Sequence, residues 1–152
     1  MKTLGYYNGT YDELENMKIP MNDRVCFFGD GVYDAGPSHN YRIFALDEHV
    51  ERFFNSAAML RIQMPCTKEE LKTLLKDLVK KMDTGDLFVY YQVTRGTGIR
   101  NHEFTDGPGN LWVTLKPAPV PSIWEKINLI TVEDTRFFHC NIKTLNLIPN
   151  VM

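Results

Sequence analysis

No run of apolar residues in this 152-residue chain approaches the roughly 20 that a membrane-spanning helix needs, so a membrane role is not expected. The opening Met1-Lys2-Thr3-Leu4-Gly5-Tyr6 lacks the apolar core and small-residue cleavage site of a signal peptide, which predicts a cytoplasmic protein. Cysteine is scarce. Cys26, Cys66 and Cys140 are widely spaced, odd in number and without a Cys-x-x-Cys pair, which argues against a zinc or dithiol centre, and no metal site is predicted. The three are read as reduced, mostly buried thiols. A basic block is also missing. With 17 Lys and Arg against 19 Asp and Glu, the net charge of -2 removes the usual electrostatic reason to expect a nucleic-acid partner, while leaving room for a small anion held by individual arginines. There is no internal repeat or low-complexity segment, and 43% hydrophobic content is ordinary for one domain with a real core.

What is present alternates between strand and helix patterns. Asn8-Gly9, between Leu4-Gly5-Tyr6-Tyr7 and Thr10-Tyr11, is a dipeptide suited to a tight hairpin because both positions tolerate positive φ. Val25-Cys26-Phe27-Phe28 is an apolar run ending in Gly29-Asp30-Gly31, where a sharp bend leads into a strand at Val32-Tyr33. His39-Asn40 then suggests a second hairpin, returning through Tyr41 to Phe44. From Leu46 to Ile62 the period becomes helical, with Asp47 as N-cap and Val50, Phe53, Phe54, Ala57 and Ala58 on the apolar face. Thr67-Lys68-Glu69-Glu70 has the form of a capping box for a second helix, whose buried stripe is Leu71, Leu74, Leu75, Leu78 and Val79. Leu87 to Thr94 and Leu111 to Leu115 read as strands, separated by a glycine-containing loop that carries Arg100 and His102. Pro117, Pro119 and Pro121 form a stiff connector, and Ile127 to Val132 reads as a further strand. Strands first, two helices between and strands after predict an α+β domain.

The most chemically suggestive stretch runs from Arg136 to Met152, with Lys143 flanked by apolar residues and followed by small polar ones. Desolvation disfavours the ammonium form of a lysine in such company, and an uncharged amine can form a Schiff base with an aldehyde. On these residues alone, a solvated lysine at a strand edge is the plainer reading.

Five separated stretches, taken in order, change the weighting: Asp23-Arg24 with Phe28-Gly29-Asp30-Gly31-Val32-Tyr33, then Glu48-His49-Val50-Glu51-Arg52, Gln92 to Thr97, Arg100-Asn101-His102, and Cys140 to Leu147. Together they resemble the fold-type IV pyridoxal-phosphate enzymes, the class IV aminotransferases, and among these the D-amino acid aminotransferases. The resemblance implies the α+β N-terminal domain of that fold, an antiparallel sheet with two helices. It implies pyridoxal 5'-phosphate as cofactor, amino acid and 2-oxo acid substrates, and a homodimer whose Arg100 to His102 loop reaches the neighbouring site. By the same resemblance, Lys143 holds the cofactor as a Schiff base and then shuttles a proton at the substrate α-carbon. Arg52 binds the cofactor phosphate, and a guanidinium's planar paired donors suit that dianion. His49, one turn earlier, faces the same way behind the cofactor. Tyr33, Tyr90, Arg100 and His102 match residues that trap the substrate carboxylate. Read without the resemblance, Arg52 is a solvated helix arginine, His49 a capping or surface histidine, the tyrosines core packing, and Arg100 and His102 part of a polar loop.

Departures bear on specificity and on completeness. Thr144 stands where a serine is common, Ala35 and Pro37 lie where other side chains line the family's pocket, and Ile99 precedes Arg100 where proline is frequent. Branched-chain aminotransferases and aminodeoxychorismate lyases share the glycine-rich strand and the lysine, and Arg100-Asn101-His102 favours the D-amino acid group. The chain extends nine residues past Lys143, and nothing after it reads as the glycine-rich phosphate loop that family members place in a second domain. The expected organisation is an N-terminal α+β domain over 1–116, a proline-rich connector over 117–125, and the opening of a largely missing cofactor domain over 126–152. The isolated chain is then expected to be inactive, or a folded module without catalysis.

Overall fold

The computed structural model describes residues 1–135 and 137–152; Arg136, at the head of the lysine-bearing stretch, lies outside the described residues. Two tight turns organise the sheet at either end. Asn8 and Gly9, at φ 43° and 99°, join β1 (Leu4–Tyr7) to β2 (Thr10–Asp12). Asn40 and Tyr41, at φ 50° and 62°, join β3 (Gly31–His39) to β4 (Arg42–Ile43). Positive φ at both central residues gives a turn whose twist matches that of paired strands, so both expected hairpins form. With β5 (Leu87–Thr94) and β6 (Asn110–Pro117) they make a six-stranded sheet in the order β2-β1-β6-β5-β3-β4, antiparallel at every pairing.

Two long helices, α2 (Leu46–Met59) and α3 (Lys68–Val79), cover one face of the sheet. Alternation along each strand decides what meets them: Leu111, Val113 and Leu115 of β6 are buried, whereas Trp112 and Thr114 between them belong to the other face. The core joins these residues and Val89, Tyr91 and Val93 of β5 to Val50, Phe53 and Ala57 of α2 and Leu71, Leu75, Leu78 and Val79 of α3. This is the expected α+β arrangement, an antiparallel sheet with two helices. Two short helices accompany it, α1 (Arg24–Phe28) and α4 (Ile148–Val151).

The capping box predicted for α3 is present. Thr67 Oγ accepts from the Glu70 N–H at 3.2 Å, and the Glu70 carboxylate accepts from the Thr67 N–H at 2.8 Å. The Thr67 backbone N–H, and then its hydroxyl, hold the Glu70 carboxyl below its ordinary pKa. A depressed carboxylate stabilises the fold above its unfolded-state pKa, and that contribution is lost as pH falls through the lowered value. Thr67→Ala is therefore expected to cost about 1 kcal/mol in denaturant unfolding at neutral pH. The difference from the parent chain should shrink as the pH is taken below the carboxylate range.

Several expectations change. Val25 to Phe28 is helical: Asp23 caps α1 through the Val25 N–H at 2.9 Å, and Gly29 ends it at φ 60°, a conformation glycine adopts without strain. Asp47 is not the cap of α2. The helix begins two residues sooner, after Ala45, and Asp47 lies in its first turn, 2.9 Å from Lys72 Nζ of α3. Ala58 faces solvent, and Ser56 is buried in its place. Ile127 to Val132 forms no strand. Among the described residues no other segment pairs with it, so an extended backbone there has no ladder to complete, and Ile127, Leu129, Ile130 and Val132 are exposed. The cysteines are free, as expected, but Cys26 on α1 and Cys140 are exposed, and Cys66 is only half-buried at the margin of the core. No helix among the described residues is long and apolar enough to cross a membrane.

Candidate active site

The site forms where the sheet leaves an edge open. Strand β4 pairs only with Ser38 and His39, so the first half of β3 lacks a neighbour on that side. Residues 143–145 take the place: the Tyr33 N–H donates to the Lys143 carbonyl at 3.1 Å, and the Leu145 N–H to the Gly31 carbonyl at 3.1 Å. From the helix side, Ser56 Oγ accepts from the Lys143 N–H at 3.2 Å. Fixed in this way, the half-buried Lys143 side chain lies over Tyr33, with Nζ 4.0 Å from the ring centroid. A cation at that distance is attracted by the negative face of the ring. Tyr33 in turn stacks on Tyr90, with centroids 5.4 Å apart and an interplanar angle of 22°. Tyr90 donates its hydroxyl proton to Gln92 Oε1 at 2.7 Å. Burial, and secondarily the Tyr33 phenol, push the Tyr90 pKa well above the ordinary tyrosine value, so it acts as a protonated donor.

The residue after Tyr33 points the other way, as strand alternation requires. Asp34 is fully buried against α2 and gathers three groups. Its Oδ2 lies 2.7 Å from Arg52 Nε, and its Oδ1 lies 2.8 Å from Arg52 Nη2 and 2.9 Å from His49 Nδ1. The carboxylate pairing pushes the Arg52 pKa above its ordinary value. His49 Nδ1 is also 3.2 Å from Arg52 Nη2. The guanidinium can only donate and the carboxylate can only accept, so a proton on Nδ1 directed at Asp34 satisfies the set. Glycine at 36, two residues along the same strand face, leaves room for this histidine; a Cβ there would stand 3.0 Å from His49 Nε2.

A cleft of about 260 Å³ opens between these groups, lined by Tyr33, Arg52, Asn141, Ile142, Lys143 and Thr144 among others. Of the residues singled out from sequence, Lys143, Arg52 and Tyr33 meet there, Tyr90 backs Tyr33, and His49 reaches Arg52 through Asp34. Arg100 and His102 do not line it. They gather at Phe28 instead, Arg100 with its guanidinium 5.3 Å from the ring centroid and His102 edge-on at 6.0 Å.

The family model for amino-transferase class IV matches residues 31–152. The chain belongs to that family. D-alanine aminotransferase of Bacillus licheniformis is 37% identical over 156 residues, covering 100% of this chain and 54% of that protein. The enzyme of the same name from Staphylococcus epidermidis (strain ATCC 12228 / FDA PCI 1200) is 33% identical over 157 residues, with 97% and 54% covered. The chain thus spans about half the length of the curated relatives it matches. Among solved structures, a T.th. branched-chain amino acid aminotransferase, complexed with N-(5'-phosphopyridoxyl)-L-glutamate, superposes with a TM-score of 0.69 at 24% identity, over 76% of this chain and 40% of that one. The branched-chain amino acid aminotransferase from Escherichia coli gives 0.71 at 16% identity, over 78% and 42%. At these identities the superpositions establish the fold.

In this class IV chain, the loop bearing Arg100 and His102 is braced by Arg24, Asp30 and Arg95, which fall in the quoted stretches but received no role from sequence. Arg24, buried on α1, donates Nε to Asp30 Oδ2 at 2.7 Å and Nη1 to the carbonyls of Asn101 and Glu103, both at 3.0 Å. Arg95 Nε donates to both oxygens of the same carboxylate, at 2.9 Å to Oδ2 and 3.1 Å to Oδ1, and its Nη atoms donate to the carbonyls of Leu60 and Arg61 at the end of α2. Asp30 therefore sits between two buried guanidinium groups, tying α1, the end of α2 and the loop together. Asp34 and Ser56 were missed as well. A period-2 reading of β3 would have placed Asp34 inward with Val32, and helical spacing would have put Ser56 on the stripe of His49 and Arg52.

Proposed function

We propose that the protein is a pyridoxal 5'-phosphate-dependent aminotransferase that exchanges amino groups between D-amino acids, D-alanine among them, and 2-oxo acids. The observation that carries this reading is the Lys143 amine lying over Tyr33 in the cleft that Arg52 also lines. The donor set suits the cofactor. An aldehyde needs an amine, and a phosphate needs a fixed cation. Arg52 is half-exposed, oriented by Asp34 through Nε and Nη2, and has no partner for Nη1 among the described residues. When bound, pyridoxal phosphate supplies a carbonyl that reacts with amines and a ring that accepts electrons from the substrate α-carbon.

The chain's own residues do the rest. Lys143 moves the α-proton, as an amine tethered beside the carbon it deprotonates. Arg52 binds the phosphate, and His49 supports it from behind through Asp34. Tyr33 and Tyr90 form the wall against which the substrate lies, and Arg100 and His102 hold its carboxylate. On this reading the loop at Arg100 to His102 serves the neighbouring subunit of a homodimer, which accounts for its gathering at Phe28 outside the cleft. Residues 117–125 connect to a second domain that opens at 126–152. D-amino acids are favoured over branched-chain ones by Arg100-Asn101-His102 and by relatives at 33–37% identity that are D-alanine aminotransferases. The protein is read as cytoplasmic.

The test is covalent. Incubation with pyridoxal 5'-phosphate, reduction with borohydride and peptide mass mapping should place the label on Lys143. A label carried only by other lysines, or none, overturns the reading.

A further inference from the structure

The geometry points to Ser56 of α2 as the positioning residue that holds Lys143 at the sheet edge. Its importance for the chemistry rests on the role proposed above for that lysine. Among the donors from 142 to 145, three find carbonyls: the Ile142 N–H donates to His139 at 3.0 Å, the Thr144 N–H to Ile142 at 2.8 Å, and the Leu145 N–H to Gly31 at 3.1 Å. The Lys143 N–H is the exception, and Ser56 Oγ accepts it at 3.2 Å.

Ser56 is fully buried among the apolar residues of its helix, beside Phe53 and Ala57. Serine is a poorer helix former than alanine and carries a polar atom that must be satisfied when buried. Its place in that stripe is explained by the bond it makes to a segment more than eighty residues away in sequence. Residues 143–145 hold β3 by only two backbone hydrogen bonds, and a contact so short opens readily unless something else closes it. A third bond, part-buried and anchored on the fully buried Ser56, supplies that closure.

The spacing along α2 gives this bond a further consequence. His49, Arg52 and Ser56 follow each other at three and four residues and lie on one side of the helix. The first two grip Asp34 of β3, and the third grips the backbone of Lys143, which is itself docked on Tyr33 of β3. One helix thereby sets both the guanidinium and the amine of the cleft. Their separation depends on the packing of α2 on β3, and not on the exposed residues that lead into Lys143. Loss of the Ser56 hydroxyl frees the amine end of this arrangement and leaves the Arg52 end in place.

The experiment compares the parent chain with Ser56→Ala and Ser56→Thr by two readouts. One is hydrogen exchange at the Lys143 amide, which needs no cofactor. The other is the rate of borohydride-trapped labelling of Lys143 by pyridoxal 5'-phosphate, measured against labelling of the surface lysines in the same sample. In the alanine variant, Lys143 exchange should rise and its labelling should fall, each by about five- to tenfold, the equivalent of one ordinary hydrogen bond. Labelling elsewhere should not change, and threonine should restore both signals. An alanine variant with unchanged Lys143 exchange, or a threonine variant that behaves like alanine, overturns the assignment. If Ser56→Ala does not fold, Ser56→Cys serves in its place, with exchange and labelling expected between the parent values and the full effect because sulfur accepts weakly. If the parent chain takes no label at Lys143, the cofactor reading falls, and the exchange measurement still decides whether Ser56 holds the backbone.

Discussion

Changing Lys143 to alanine is expected to remove the borohydride-fixed adduct at this site completely and, in the whole protein, to lower turnover by at least about 10⁴-fold, the upper range for loss of a positioned acid-base group. The chain has other lysines, but Lys143 is the one that lines the cleft with Arg52 and lies on the Tyr33 ring. Lys143→Arg separates charge from chemistry: a guanidinium can still lie over Tyr33 but cannot serve as an amine nucleophile at neutral pH. It should keep the parent stability and lose the adduct. An arginine variant that still acquires label in this segment, or an alanine variant that keeps its turnover, would count decisively against the proposed mechanism.

Removing Arg52 should have the largest effect on stability. Asp34 is fully buried and Arg52 is half-exposed, so the two sides of the pair are not equivalent. Arg52→Ala leaves a buried carboxylate with only the Ala35 N–H and His49 as partners, and is expected to cost about 3 kcal/mol in denaturant unfolding. Asp34→Asn releases a guanidinium that can turn to water, and should cost about 1–2 kcal/mol. The double variant should be more stable than Arg52→Ala alone, because it no longer buries an uncompensated charge. Additive losses in that cycle would show that the pair does not act as a unit. Arg52→Lys is the cleaner probe of phosphate binding, since it keeps the charge and loses the paired donors.

The bracing of the Arg100 loop follows the same physical rule. Arg24 and Arg95 can be buried because Asp30 lies between them and backbone carbonyls accept from Nη1 of Arg24 and from Nη1 and Nη2 of Arg95. Their cost of desolvation is offset only in this arrangement, and Arg24 thereby holds the loop backbone on either side of His102 while Arg100 and His102 stay exposed.

Local order was legible wherever a strong short-range signal coincided with the tertiary demand. Asn8-Gly9, the Thr67 to Glu70 box and the alternation in Leu111 to Leu115 specify a turn, a helix start and a buried strand face through forces acting over a few residues. Signals weakened where two structures compete for the same residues. Val25 to Phe28 is apolar enough for a strand, but Asp23 and Gly29 cap it as a helix, and Ile127 to Val132 has strand chemistry without a strand to pair with. The ordered stretches that hold Tyr33, Arg52 and Lys143 marked, by resemblance, three side chains that the fold brings to one cleft. Only the folded molecule decided that Lys143 docks on the open edge of β3, that Asp34 meets the Arg52 guanidinium and Ser56 the Lys143 backbone, and that Arg100 and His102 stand outside the cleft. The reason is range: hydrogen bonds between residues 34 and 52, or 56 and 143, leave no periodicity in the sequence and exist only once the helix has packed on the sheet.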